Sequence, residues 1–245
     1  MTVEDMKYVS RTLWMTILSC AFLLAGIERA AATVILKGNR IIYSAAAKEK
    51  IVEFTNEGST PMLIQVWMDK DNPKSTPETA DAPFIATPQI FRMNANAGQA
   101  LRLKFTGQPL PADRESLFWF NYLQFPAVKA DDTERNRLSL LIKSRLKIFY
   151  RPAGLKGEAN QAPSSLRLSR QGRALNLTNP TPWYINIRNA VLTQGQKTIA
   201  VGESVTLPPF GSTRWSLPES QATTLTLYAI NDYGTAVGHT FSLPR

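Results

Sequence analysis

Residues 135–152 read RNRLSLLIKSRLKIFYRP, and this is the most informative stretch of the sequence. Apolar residues recur at every second position and a basic cluster follows them: Leu138, Leu140 and Ile142, then Lys143, Arg145 and Lys147. Because strand side chains alternate between two faces, the three apolar residues share one face. At the edge of a sheet, such a strand offers a second chain free backbone groups and apolar sockets. An inward-facing strand of an ordinary sandwich shows the same alternation, so both interpretations stay open here.

The first 32 residues have the pattern of a secretory signal peptide. Lys7 and Arg11 precede an apolar run at residues 13–26, and Ala30-Ala31-Ala32 fits the small-residue cleavage rule. The apolar run is too short for a comfortable membrane span. We therefore expect an exported protein that begins near Thr33 and is not inserted in a membrane.

Cysteine content and charge limit the possible partners. Cys20 is the only cysteine and lies in the apolar run, so we expect a mature chain without disulfides. The formal net charge of +9 survives removal of the signal, because its cations and carboxylates balance. Export argues against nucleic acid as a partner, whereas acidic proteins or an anionic membrane surface fit better. A merely solvated basic surface is the alternative.

The mature chain is a succession of short apolar runs separated by Gly, Pro and Asn. This pattern predicts an all-β protein of two sandwiches, in which VILKGNRIIY at residues 34–43 is the first strand. Glycine, proline and small residues predict a linker after Pro152. The predicted organisation is a signal peptide at 1–32, an N-terminal domain at 33–152, a linker at 153–163 and a C-terminal domain at 164–245.

Residues for catalysis or metal binding are sparse. His239 is the only histidine and has no nucleophile motif near it, so we expect no enzyme. Asp69, Asp71 and Asn72 resemble the opening of a calcium loop, but Pro73 follows and the required glycine is out of register. We expect a turn there, and neither a metal nor a cofactor in the protein.

Four motifs give the chain a specific family resemblance. In order, they are LPADRESLFWFN at 110–121, KIFYRP at 147–152, NPTPWY at 179–184 and INDYG at 230–234. Together they resemble the periplasmic pilus-assembly chaperones of the chaperone-usher pathway. The resemblance implies two immunoglobulin-like β-sandwich domains set at an angle with a cleft between them. It also implies a non-enzymatic periplasmic protein that lends a strand to pilus (fimbrial) subunits and delivers them to an outer-membrane usher.

The same resemblance assigns roles to individual residues. Arg40 and Lys147 would hold the C-terminal carboxylate of a subunit through charge-assisted hydrogen bonds. The three alternating apolar residues would enter the subunit's groove: Leu138, Leu140 and Ile142. An interdomain ion network would fix the angle between the domains: Glu115, Arg151 and Asp232.

Three points remain open from the sequence alone. An exported immunoglobulin-like pilus component or adhesin is the main alternative, and a secreted hydrolase is a weaker one. The exposed strand could also let the free chain cap itself as a dimer. Finally, Lys147 lies five residues after Ile142, so a regular strand would place them on opposite faces unless a twist, a bulge or a long side chain intervenes.

Overall fold

The structure, a computed structural model, describes residues 34–127, 141–202, 204–218 and 222–244. Strands dominate these ranges, as the alternating apolar runs predict. The strands are β1 Val34–Leu36, β2 Arg40–Ser44, β3 Lys50–Asn56, β4 Met62–Asp69, β5 Phe84–Thr87, β6 Ile90–Met93, β7 Gly98–Phe105, β8 Ser116–Pro126, β9 Ile142–Arg151, β10 Arg167–Gln171, β11 Ala174–Thr178, β12 Ile185–Gln194, β13 Lys197–Val201, β14 Val205–Leu207, β15 Ser212–Ser216, β16 Thr224–Ile230 and β17 Ala236–Ser242.

The N-terminal domain is a sandwich of two sheets. One sheet has the strand order β1-β3-β7-β5 and the other has the order β2-β9-β8-β4-β6. All the pairings are antiparallel except that of β2 with β9, which is parallel. Alternate residues of both sheets fill the core, among them Phe54, Leu101, Phe120 and Ile148. These side chains exclude water from the space between the sheets, which supplies most of the stability of such a domain.

The first apolar run is divided between the two sheets instead of forming one strand. β1 pairs with β3 in the first sheet, and β2 pairs with β9 in the second. Gly38 lies between them with a φ of 96°, a left-handed conformation that favours glycine. The expectation of one strand at 34–43 is therefore wrong, because the chain turns at Gly38 and crosses to the other sheet. The crossing places Arg40 directly beside Lys147.

The C-terminal domain is a second, smaller sandwich. Its sheets have the orders β10-β11-β15 and β13-β12-β16-β17, and β14 also pairs with β12. Leu175, Leu177, Ile185 and Leu227 lie in its core and are almost completely buried. The two sandwiches confirm the predicted all-β class and the presence of two domains.

Helical structure is limited to short 3-10 segments in the described ranges, at Pro77–Thr79 and Ala159–Ser165. The second segment begins within the predicted linker at 153–163 and buries Ala162 against the core of the C-terminal domain. Among the residues that the structure describes, no helix is long and apolar enough to cross a membrane.

The packing of the N-terminal domain predicts how two neighbouring substitutions will differ. Leu103 on β7 is 0% exposed, whereas Ile85 on the adjacent strand β5 is 51% exposed. Leu103→Ala leaves a cavity and should lower the free energy of unfolding by about 2–5 kcal/mol. Ile85→Ala should change it by less than about 1 kcal/mol. Urea unfolding followed by tryptophan fluorescence measures both, and equal losses would contradict this account of the core.

Candidate binding cleft

One edge of β9 is open before the point at which β2 begins. β9 pairs with β8 over its residues 142–150, but β2 pairs only with residues 147–151. In the described part of the chain, residues 142–146 thus have one neighbouring strand. Their second row of backbone hydrogen-bonding groups is available to another chain. That chain would run along the edge until it met the first residue of β2, Arg40.

Arg40 and Lys147 are directly opposite each other where β2 and β9 first pair. The Lys147 Nζ donates a hydrogen bond to Asn186 Oδ1 at 2.8 Å and contacts Thr206 Oγ1. The Arg40 Nη1 donates to the carbonyl oxygen of Ile230 at 3.2 Å. All three partners belong to the C-terminal domain, so both cations lie at the junction of the two domains.

Neither cation has a carboxylate partner among the described residues, since their hydrogen-bond acceptors are all neutral. Burial, and then repulsion by Arg40, lowers the pKa of Lys147 to about 8. Burial also lowers the pKa of Arg40, although attraction to Asp232 opposes this effect. Two partly desolvated cations whose hydrogen-bond partners are neutral favour the binding of an anion, which would stabilise both charged forms.

The predicted groove-binding residues are only partly within the described residues. Leu138 and Leu140 lie outside them, whereas Ile142 is the first residue of β9 and is 44% exposed. The register of β9 against β8 runs from Ile142 to Tyr150 without a shift. Ile142 and Lys147 therefore lie on opposite faces of the strand, as the two-residue period requires, and no bulge brings them together.

The structure brings the three residues of the predicted ion network together. Arg151 Nε lies 2.6 Å from Glu115 Oε1, and Arg151 Nη2 lies 2.6 Å from Asp232 Oδ1. Asp232 is in the turn between β16 and β17, so this network joins the two domains. Glu115 also accepts a hydrogen bond from the backbone N–H of Tyr184 at 2.7 Å. Burial raises the pKa of Glu115 in spite of the nearby Arg151.

A buried polar cluster beside the cleft was missed by the sequence analysis. Asp69, for which the sequence predicts a turn, is the last residue of β4. It is fully buried and accepts hydrogen bonds from Ser75, Asn121 and Arg145. The guanidinium of Arg145 lies 4.1 Å from the ring centroid of Trp119. The sequence signal for this cluster was the two-residue spacing of Arg145 and Lys147, which places both side chains on the same face of β9.

The single histidine contacts a serine but lies in an arrangement that is not typical of a hydrolase. His239 Nδ1 and Ser164 Oγ are 3.0 Å apart. In the ranges that the structure describes, no carboxylate hydrogen-bonds this imidazole, and no group of three or more His, Cys, Asp or Glu residues could hold a metal ion. A catalytic triad would need a third group that orients the imidazole.

Comparisons with known proteins agree with this architecture. Residues 33–156 match the family model "Pili and flagellar-assembly chaperone, PapD N-terminal domain", and residues 161–241 match "Pili assembly chaperone PapD, C-terminal domain". The chaperone protein FimB/FhaD of Bordetella pertussis is 36% identical over 91% of this chain and 93% of its own length. The probable fimbrial chaperone YadV of Escherichia coli K12 is 34% identical over 84% of this chain and 88% of its own length.

Solved structures extend the likeness to the fold of most of the chain. The crystal structure of the YadV chaperone has a TM-score of 0.73 and 33% identity, covering 86% of this chain and 100% of the other. The SafB chaperone of Salmonella enterica, solved in complex with the SafA pilin, gives a TM-score of 0.72 and 28% identity, covering 88% and 99%. With both domains matched in order, the chain belongs to the pilus-assembly chaperones of the chaperone-usher pathway.

Proposed function

We propose that this pilus-assembly chaperone captures an exported pilus subunit by pairing a subunit strand with the open edge of β9. The observation that carries this proposal is the position of the Arg40–Lys147 pair at the end of that edge. A guest strand that follows residues 142–146 and ends at Lys147 must run in the same direction as β9. Its C-terminal carboxylate then meets two cations that have neutral partners, and its register is fixed.

The energy of capture comes from two faces of β9. On one face, the carboxylate gains hydrogen bonds to charged donors, each contributing roughly 1.5–3 kcal/mol. On the other face, Ile142 enters the groove that the subunit's missing strand leaves open, together with Leu138 and Leu140, which precede β9 in the sequence. Each fully buried aliphatic side chain contributes about 1.5–3 kcal/mol. An adhesin or structural pilus component would have no need for an unneutralised cation pair at the end of an open strand edge.

The remaining steps of the proposal follow from the same mode of binding. The chain acts in the periplasm after removal of residues 1–32, and passes its subunit to an outer-membrane usher. It works by binding alone, as a non-enzymatic protein without a metal or a cofactor. The Glu115–Arg151–Asp232 network holds the C-terminal domain so that Asn186 and Ile230 face the two cations.

The proposal predicts the result of removing the anchoring cation. Lys147→Ala should weaken subunit capture about ten- to hundredfold, because it deletes one charge-assisted hydrogen bond. Lys104→Ala is the matched control, since Lys104 is an exposed lysine of β7 in the other sheet. The measurement is recovery of the protein's own pilus subunits, co-produced in the periplasm, on the tagged chaperone. Undiminished recovery by folded Lys147→Ala protein would refute the proposal.

The lowered pKa of Lys147 predicts a pH dependence of capture. The ammonium is charged below a pKa of about 8 and loses its proton above it, while the subunit carboxylate stays ionised. The dissociation constant should therefore rise about tenfold between pH 7 and pH 9. Lys147→Arg, whose guanidinium stays charged in this range, should give a flat profile. Fluorescence anisotropy with a labelled subunit peptide measures both, and parallel profiles would argue against Lys147 as the anchor.

Substitutions in the ion network should distinguish its effect on the stability of the protein from its effect on the orientation of the C-terminal domain. Arg151→Ala leaves Glu115 buried without its counter-charge and should lower the free energy of unfolding by about 3–5 kcal/mol. The triple change Arg151→Met, Glu115→Gln and Asp232→Asn removes the buried charges together, so it should recover most of that stability. Urea unfolding and subunit recovery are measured side by side. We expect the triple variant to be stable but poor in capture; full capture would exclude an orienting role.

A further inference from the structure

Cations occupy successive positions on one face of β9. Lys143, Arg145 and Lys147 are two residues apart, and neighbouring side chains on one face of a strand are about 6.6–6.8 Å apart. A guest strand that slides by two residues keeps every side chain on its original face. The evenly spaced hydrogen bonds of a parallel pair also form equally well after such a slip. Pairing along the edge alone therefore does not distinguish Lys147 from Arg145 as the end point.

Arg145 and Lys147 have different partners in the structure. Arg145 Nη2 lies 2.6 Å from Asp69 Oδ1, and its side chain is only 19% exposed. The face of Trp119 covers its guanidinium at 4.1 Å. Its Nε is buried and lacks a hydrogen-bond partner among the described residues, so this donor is not available at the surface. Lys147, by contrast, has only neutral partners in the described part of the chain.

Asp69 is held firmly enough to keep Arg145 in place. Its side chain is 0% exposed and accepts hydrogen bonds from Ser75 Oγ at 2.7 Å and Asn121 Nδ2 at 2.6 Å. Burial alone would raise the pKa of Asp69, but the hydrogen bonds from Ser75, Arg145 and Asn121 outweigh it and hold the pKa below its usual value. The carboxylate is thus a permanent negative charge beside Arg145 at neutral pH.

We infer that Asp69 determines the register of the captured strand by neutralising Arg145. A carboxylate that arrives two residues early meets a guanidinium already paired with a buried anion, and gains little. A carboxylate that reaches the end of the edge meets Lys147 together with Arg40, and gains both charges. Asp69 is thus a specificity-determining residue that never contacts the guest. This inference rests on the carboxylate anchor proposed above.

Disulfide mapping measures the register directly. The reference protein is the full chain with Cys20→Ala and Ser144→Cys, exported to the periplasm and purified. Its probes are soluble strand peptides of alternating valine and threonine with a free C-terminal carboxylate, each carrying one cysteine at a chosen position. A second set ends in an amide. In the proposed register the last peptide residue lies beside Leu146 and its carboxylate reaches Lys147, because Arg40 already pairs with Lys147. The cysteine introduced at position 144 should therefore cross-link the residue two before the last.

Releasing Arg145 should shift this register by two residues. In Asp69→Asn protein, part of the cross-linked product should move to the last residue. Lys147→Ala should lower the ratio of acid-peptide binding to amide-peptide binding at least fivefold. Combining Lys147→Ala with Asp69→Asn should restore part of that preference, now in the shifted register. A general loss of stability would weaken binding but would not restore a preference or move the cross-link.

Asp71→Asn is the matched control, because Asp71 also lies near Arg145, at 3.6 Å, but is 79% exposed. It should leave the cross-link in its original place. If the reference protein binds acid and amide equally, the carboxylate anchor itself is wrong. If the acid preference is intact but Asp69→Asn neither shifts the cross-link nor restores binding to Lys147→Ala, the role of Asp69 is wrong.

Two further results keep the inference open to refutation if Asp69→Asn does not fold. Asp69→Ser removes the same charge with a smaller side chain that still forms hydrogen bonds, and it should shift the register in the same way. The reference protein is also decisive by itself. Cross-links divided between the two registers with Asp69 in place would overturn the inference.

Discussion

The parallel pairing of β2 with β9 is the interaction on which the cleft depends. Its first pair sets Arg40 beside Lys147, and its last pair sets Ser44 beside Arg151. This short ladder therefore carries the proposed anchor at one end and the interdomain network at the other. Because β2 begins only at Arg40, the part of β9 before Lys147 keeps an open edge among the described residues. A longer β2 would cover the edge on which the proposed guest strand must pair.

The outer face of β9 shows how one strand serves both domains. This face carries every second residue of the strand: Lys143, Arg145, Lys147, Phe149 and Arg151. The first two bond to groups of the N-terminal domain, whereas Lys147 and Arg151 bond to the C-terminal domain. The aromatic rings of Phe149 and Tyr184 also meet across the junction, with centroids 5.8 Å apart. The strand is thus fixed on both sides of the point where the guest carboxylate is proposed to bind.

The sequence predicted those features of the site that depend on a local pattern or on a family motif. The two-residue period predicted that Ile142 and Lys147 lie on opposite faces, and the unshifted register agrees with it. The family resemblance identified Glu115, Arg151 and Asp232, which the structure brings into contact. These residues are far apart in sequence, so no local pattern could have joined them.

The rest depended on tertiary neighbours that sequence reasoning could not supply. Asp69 follows an apolar run and precedes turn residues, so the sequence predicted a turn there and gave no sign of its burial. Its burial results from Asn121 and Arg145 on two other strands, together with Ser75 from the following turn. The division of the first apolar run was missed for a related reason. Gly38 is compatible with either a strand or a turn, and only the pairing of β2 with β9 decides between them.

An open strand edge exposes a protein to uncontrolled pairing, and the residues of this edge restrict it. The face of residues 142–146 opposite Ile142 carries the exposed Lys143, which discourages pairing by a second basic chain of the same kind. The apolar contribution lies on the opposite face, where Ile142 is exposed. A guest therefore gains the full binding energy only if it has both an apolar groove and a carboxylate at the correct distance. The division of β9 into an apolar face and a charged face converts a general tendency to aggregate into selection for one kind of strand.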